Sequence, residues 1–242
     1  MKDQERPLGE HLEELRWRII NSLVVIVLLG AAAYYFRLRI VQFLLKASKE
    51  DQLIYLHPTE AFLTYLKLAV ITGLILSTPW ILYQAWRFIM PALLEHEERP
   101  FRLSFFFGGV LFYIGVGVAL YFLLPFFVKL LTTIGEDYVV SRFSFRNYLT
   151  FTSLLAFSVG VVFELPLLII LLVKLGFVTP RSLRKHRKYA IVIAFVIGAF
   201  ITPTDLFSQA FMAIPLIVLY EISLLAVSTF FKETPSKEQS PS

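Results

Sequence analysis

The chain has 242 residues, of which 57% are hydrophobic and 17% charged, with no cysteine and a formal net charge of +5. A soluble domain carries about 25% charged residues, so a mean hydropathy of +0.70 excludes an ordinary soluble fold and points to burial in lipid. The missing cysteines exclude disulfides, thiol catalysis and Cys-ligated zinc or iron–sulfur sites. The positive charge would suggest nucleic acid in a soluble protein; here it reads as loop Lys and Arg that set topology.

From the N-terminus, residues 1–18 hold five acids (Asp3, Glu5, Glu10, Glu13, Glu14) beside four bases (Lys2, Arg6, Arg16, Arg18). A secretory signal begins with a positive segment, not a mixed one, so the expectation is an uncleaved first span. In PLGEHLEELRWRII, Leu8, Leu12, Leu15 and Ile19 follow helical spacing and form one apolar stripe. Glu10 and Glu14 share another face. This predicts an interfacial helix running into the first span. Glu14 and Arg18 stand four residues apart, the spacing of a helix ion pair worth about 0.3–0.5 kcal/mol. Whether Glu14 serves that pair or a ligand is left open by the sequence.

Six spans are predicted, at about 19–36, 68–86, 103–128, 148–173, 189–202 and 206–231. Roughly 18 uncharged apolar residues suffice to cross the hydrocarbon, and residues 103–128 supply 26. Helices are expected, since open strands would leave backbone groups unpaired in lipid and the runs are too continuously apolar for barrel strands. Trp17, Tyr34, Tyr35, Trp86, Tyr148 and Tyr189 stand at span ends, where such rings suit the headgroup zone. With a cytoplasmic N-terminus, 15 Lys and Arg fall inside and 8 outside, which favours that orientation. Six spans return the C-terminus to the same side. The segment 37–62 is long enough for short helices of its own.

The fifth run, 14 residues, gives about 21 Å of helix against a hydrocarbon core of roughly 30 Å. The turn TPTD after it leaves almost no outer loop. A locally thinned bilayer is expected, with a re-entrant hairpin as the alternative. Pro79, Pro125, Pro166 and Pro215 lie within spans and are expected to kink them. The tail, 232–242, is expected to be disordered. No internal repeat is visible, which weakens an inverted-repeat transporter reading.

The chemistry-bearing residues are few. His11, His57, His96 and His186 all lie outside the spans. HEERP and HLEEL approach the zinc-protease motif but lack its second histidine. No nucleophile or metal set emerges, so neither an enzyme nor a cofactor is expected. Glu164 lies within the fourth span, two residues before Pro166. A charge at the bilayer centre costs about 2.5–3.5 kcal/mol and normally faces an interior or a watered cavity. It either caps the break made by Pro166, makes a polar contact on a concave face, or forms a proton-linked site. For Glu221 a structural partner is expected. Gln209 and Asp205 open the sixth span, where polar helix pairing is the simple account. The loop PALLEHEERPF, 91–101, carries Glu95, Glu97 and Glu98 on a side where bases are the rule.

Several long blocks resemble the TatC family, the multi-span subunit of the twin-arginine protein translocase. They are EHLEELRWRII at 10–20, TPWILYQAWRFIMPAL at 78–93, HEER at 96–99, FELP at 163–166, KYAIVIAFVIGAFITPTD at 188–205 and FSQAFMAIPLIVLYEIS at 207–223. The resemblance covers the chain apart from its two ends. It implies a cup-like bundle of six transmembrane helices with both termini cytoplasmic, in the inner membrane of a bacterial cell. It implies binding of folded proteins that carry an Arg-Arg signal peptide, in an oligomeric complex with single-span partners of the TatA/TatB type. Transport would draw on the proton gradient, and no nucleic acid is implied.

Glu14 and Glu97 occupy the positions matching the family's signal-binding glutamates. Arg16, Phe88, Glu95, Glu98 and Arg99 stand beside them in the same blocks. Glu164 matches the acid associated with passage of the signal into the interior, and the fifth span the segment implicated in partner contact. Relatives commonly place a base where Glu98 stands. Carboxylates match guanidinium forks by two-point hydrogen bonding, which lysine cannot reproduce. At about 1.5–3 kcal/mol per charged hydrogen bond, two pairs would give roughly 3–6 kcal/mol. The alternative is a proton-coupled small-solute transporter with Glu164 as the proton carrier.

Overall fold

The computed structural model describes residues 8–48, 53–54, 58–89, 98–133, 143–174, 176–201 and 206–230. These form α1 (Leu8–Tyr35), α2 (Arg37–Ser48), α3 (Pro58–Ile89) and α4 (Glu98–Val118), then a π-helical turn (Ala119–Leu123) and α5 (Leu124–Thr133). There follow α6 (Phe145–Phe163), α7 (Leu165–Lys174), α8 (Pro180–Lys185), α9 (Arg187–Ile201) and α10 (Leu206–Phe230). Among the described residues β pairing is confined to one bridge, between Ile54 and Ser144.

Among the described residues five stretches are long and apolar enough to cross a membrane: Gly9–Tyr35, Thr59–Phe88, Phe106–Leu130, Phe145–Lys174 and Met212–Thr229. Large apolar side chains such as Val27, Phe106, Phe122, Val161 and Leu225 are exposed along them. In water so much exposed apolar surface would drive aggregation; in a bilayer it is the face that lipid covers. The all-α membrane architecture read from the sequence is the one observed. α9 has 15 residues, too few to span by length alone.

The helices overrun the apolar runs from which they were predicted. α1 carries the interfacial segment and the first span as one continuous rod from Leu8. α3 starts at Pro58 with Glu60 in its first turn. Proline suits a helix's first position, and an acid there offsets the helix dipole.

The chain divides into two compact units, one ending at Val161 and the other beginning at Val162. In the first, α1 and α3 pack as an antiparallel pair. Their register can be followed along the whole length. Just past the end of α1 the Arg37 guanidinium of α2 lies over the Tyr65 ring at 5.6 Å; within the pair Gly30 meets Gly73, Arg18 reaches Gln84, and His11 stacks on Phe88. The crossing is set by the two glycines. A Cβ on Gly73 would lie 2.6 Å from the Gly30 backbone nitrogen. Without a hydrophobic drive between helices in lipid, close backbone approach over small residues supplies the packing.

Two irregularities are absorbed locally. Pro79 sits inside α3 without interrupting it. Proline lacks the N–H that would bond the carbonyl four residues back, and here the Tyr113 hydroxyl of α4 donates to that carbonyl, Ile75 O, at 3.3 Å. The π turn holds one buried stripe together. Gly108, Phe112 and Gly115 are buried before it, Ala119 and Leu120 within it, and Leu124 and Val128 after it. The Leu124 amide bonds Ala119 O, five residues back, where a regular α-helix bonds four back.

At the opposite end of α3 from Gln84, a strap ties several elements. Buried Glu60 accepts from Ser144 Oγ at 2.8 Å and from the Arg146 amide at 3.2 Å. Ile54 pairs with the backbone of Phe143 and Phe145. The buried Tyr148 hydroxyl donates to Leu44 O of α2 at 3.0 Å.

In the second unit α10 packs against α7, α8 and α9, around Val162, Ala194, Ala213, Leu216 and Leu219. Thr179 caps α8 by accepting from the Ser182 amide, with Pro180 next in line. The Tyr220 hydroxyl donates to Leu183 O at 2.9 Å. Pro215, like Pro79, stays within an unbroken helix.

Candidate functional site

The α1–α3 register carries Glu14 and Arg18 to the C-terminal turns of α3. There an open cleft of about 570 Å³ is lined by Glu14, Trp17, Arg18, Asn21, Trp80, Tyr83, Gln84 and Arg87. Glu14 and Arg18 form the ion pair that their spacing permits. Arg18 Nε donates to Glu14 Oε1 at 3.2 Å, and Nη2 donates to the same oxygen. The third arm, Nη1, donates to Gln84 Oε1 at 3.2 Å. Arg18 is 13% exposed and Glu14 25%, while Gln84 is 8% exposed. This is therefore a network held between two helices, not a pair on a solvated surface. Among the described residues the cleft lining carries two guanidiniums, Arg18 and Arg87, against one carboxylate.

Aromatic rings make most of the remaining wall. Trp80 and Tyr83 stand 5.6 Å apart, centroid to centroid, and Tyr83 and Trp86 6.1 Å. Beyond them Phe88 stacks on His11 at 4.3 Å with planes 19° apart, which pins the start of α1 to the end of α3. Arg16 is exposed and is not part of the cleft lining. Glu95 and Glu97 lie outside the described residues. Glu98 and Arg99 begin α4, whose backbone alone is described there.

Gln84, Trp80, Tyr83 and Arg87 were not singled out by sequence reasoning. The signal was present: Ser77 and Gln84 are two polar residues seven apart in an apolar run, hence on one helical face, and both are buried.

The intramembrane polar residues Glu164, Gln209 and Glu221 belong to the second unit. Glu164 occupies the turn between α6 and α7. Its carbonyl accepts from the Leu168 amide at 2.9 Å, but its buried Oε1 finds no hydrogen-bond partner among the described residues. That oxygen therefore does not cap the break at Pro166. Glu221 pairs with Arg187 at 3.0 Å, and Gln209 Nε2 donates to Phe195 O at 2.9 Å, tying α10 to α9.

Residues 10–215 match the sequence profile of the family described as Sec-independent protein translocase protein (TatC). The Aquifex aeolicus protein of that name is 41% identical over 224 residues, which cover 90% of this chain and 93% of the relative. Those of Helicobacter pylori and Escherichia coli K12 are 38% and 36% identical, covering 90% and 92% of this chain. Two crystal structures of a twin arginine translocase receptor, TatC, superpose with TM-scores of 0.80 and 0.83 at 40% and 39% identity, each covering 89% of this chain. Nothing in these likenesses supports the alternative of a proton-coupled solute transporter. The chain belongs to the TatC family of Sec-independent protein translocase proteins, multi-pass proteins of the membrane.

Proposed function

We propose that this chain is the signal-recognition subunit of a bacterial twin-arginine translocase, set in the cell's inner membrane with six spans and both termini cytoplasmic. It binds and recruits rather than catalyses. The observation that carries this reading is the cleft between α1 and α3. It sets a carboxylate, Glu14, among aromatic faces, in a chain 40% identical to a solved twin arginine translocase receptor.

Guanidinium groups dock on carboxylates by two-point hydrogen bonds and stack on aromatic rings, so this lining suits an arginine-bearing leader. Glu97, with Glu95 and Glu98 beside it in the sequence after α3, supplies the second carboxylate. Arg16, Phe88 and Arg99 flank the contact. Two such contacts would contribute roughly 3–6 kcal/mol, enough for reversible docking of a cargo that must later be released. Glu164 receives the leader's apolar part, and single-span partners of the TatA/TatB type complete the complex. The proton gradient supplies the energy of transport.

The test is photocrosslinking of an Arg-Arg signal peptide to inverted membranes that contain this chain. Glu14→Lys and Glu97→Lys are each expected to abolish the crosslink and export together. If both variants crosslink and export like the parent, the site assignment is wrong.

A further inference from the structure

Glu14 is not waiting open for a ligand. Its Oε1 is already gripped by two arms of Arg18, and the third arm of that guanidinium is anchored on buried Gln84. With Arg87, the cleft lining is one positive charge in excess among the described residues. Those groups by themselves would repel a leader carrying two more guanidiniums, not attract it. The Arg-binding reading proposed above and the observed geometry are reconciled by one further role.

We infer that Arg18 is an affinity-setting residue, an internal stand-in for the leader's arginine that occupies the Glu14 carboxylate until an external guanidinium replaces it. Binding is then an exchange of one fork for another. An exchange returns only the difference between the two contacts, which keeps docking reversible. The same amount is subtracted from every leader that takes the carboxylate. A lysine ammonium, a compact point charge without two-point geometry, leaves Arg18 in place and draws nothing from Glu14. The released Arg18 has Trp80 and Tyr83 in the same cleft, aromatic faces on which a guanidinium stacks.

This inference rests on the Arg-binding reading, and the experiment separates the two. A fluorescent synthetic leader with Arg-Arg and its Lys-Lys counterpart are titrated against the full chain in lipid nanodiscs. The chain is tested as wild type, Arg18→Gln, Arg18→Lys, Arg87→Gln and Glu14→Gln. Removing the internal competitor, Arg18→Gln should tighten Arg-Arg binding by about tenfold to a hundredfold, the range of one charged hydrogen bond. Lys-Lys binding should tighten by less, since an ammonium draws less from the freed carboxylate, so that the Arg/Lys ratio does not fall. Arg18→Lys keeps the charge but loses the fork, and should land between the two in affinity. Arg87→Gln removes the same charge without releasing Glu14. It should shift both leaders alike, by at most about fivefold.

If Arg18→Gln weakens Arg-Arg binding, Arg18 orients Glu14 rather than competing for it, and the inference is overturned. An effect no larger than that of Arg87→Gln overturns it as well. In both cases the Arg-binding reading stands so long as Glu14→Gln weakens the wild-type interaction. If Glu14→Gln changes nothing, the site reading falls and takes this inference with it.

Discussion

The α1–α3 crossing can be tested by a single methyl group. On Gly73 a Cβ would lie 2.6 Å from Gly30 N, 2.7 Å from Gly30 Cα and 3.0 Å from Ile26 O, all backbone atoms. None of these can turn aside as a side-chain tip would. Restoring ordinary contact of 3.4 Å or more requires the helices to part by about 0.8 Å. If they part as rigid rods, the 3.2 Å bond from Arg18 to Gln84 stretches to about 4 Å, beyond any hydrogen bond. Gly73→Ala should therefore cost about 1–3 kcal/mol, as overpacking of a filled interior does, and should also disturb leader binding 11 residues away along α3. The control is Gly109→Ala in α4, where an added Cβ meets nothing within 4 Å. There helix propensity favours alanine by up to about 1 kcal/mol. Equilibrium unfolding of both variants in mixed micelles, with leader titration alongside, gives the comparison. Equal stability of the two alanine variants would refute the claim that this crossing is built on glycine.

Other expectations follow from individual contacts. Glu60→Ala removes the acceptor of Ser144 Oγ and of the Arg146 amide; leaving those donors unpaired should cost about 1–3 kcal/mol in the same unfolding measurement, and a loss below about 0.5 kcal/mol would show that the strap is not held by this carboxylate. Glu164→Met replaces a carboxylate whose buried Oε1 has no partner among the described residues. It should raise stability by about 1–3 kcal/mol while export falls, and a less stable variant would mean that Glu164 has a partner beyond the described residues.

Much of this molecule was legible because lipid imposes a simple rule. Runs without charge must be helices when they cross hydrocarbon, so the all-α architecture followed from the spacing of charged residues along the chain. Element ends were less legible. The first turns of α1 and α3 carry Glu10 and Glu60, and charge alone cannot distinguish a helix that projects past the membrane from a loop. The cleft was half visible. Glu14 and Arg18 stood at pairing distance in the sequence, yet which partner each would take depended on Gln84, 66 residues away from Arg18. That meeting depends on the helix crossing, set by Gly30 and Gly73, two residues with no side chain to advertise it. The tie of Tyr113 to Ile75 O is hidden in the same way, since only Pro79 announces that a carbonyl needs a donor.

The π turn at Ala119–Leu123 lets the fourth helical rod carry one residue more than a regular helix would hold. Deleting one residue there would leave an α-helix in which Leu124 follows Ala119 by four positions, so the faces on either side would stay in phase. Tightening the turn to α with no deletion would instead swing everything downstream by roughly 100° about the axis, carrying Leu124 and Phe127 out to the lipid. A gap of a single position in an alignment at this point would therefore signify a lost bulge rather than a rotated half-helix.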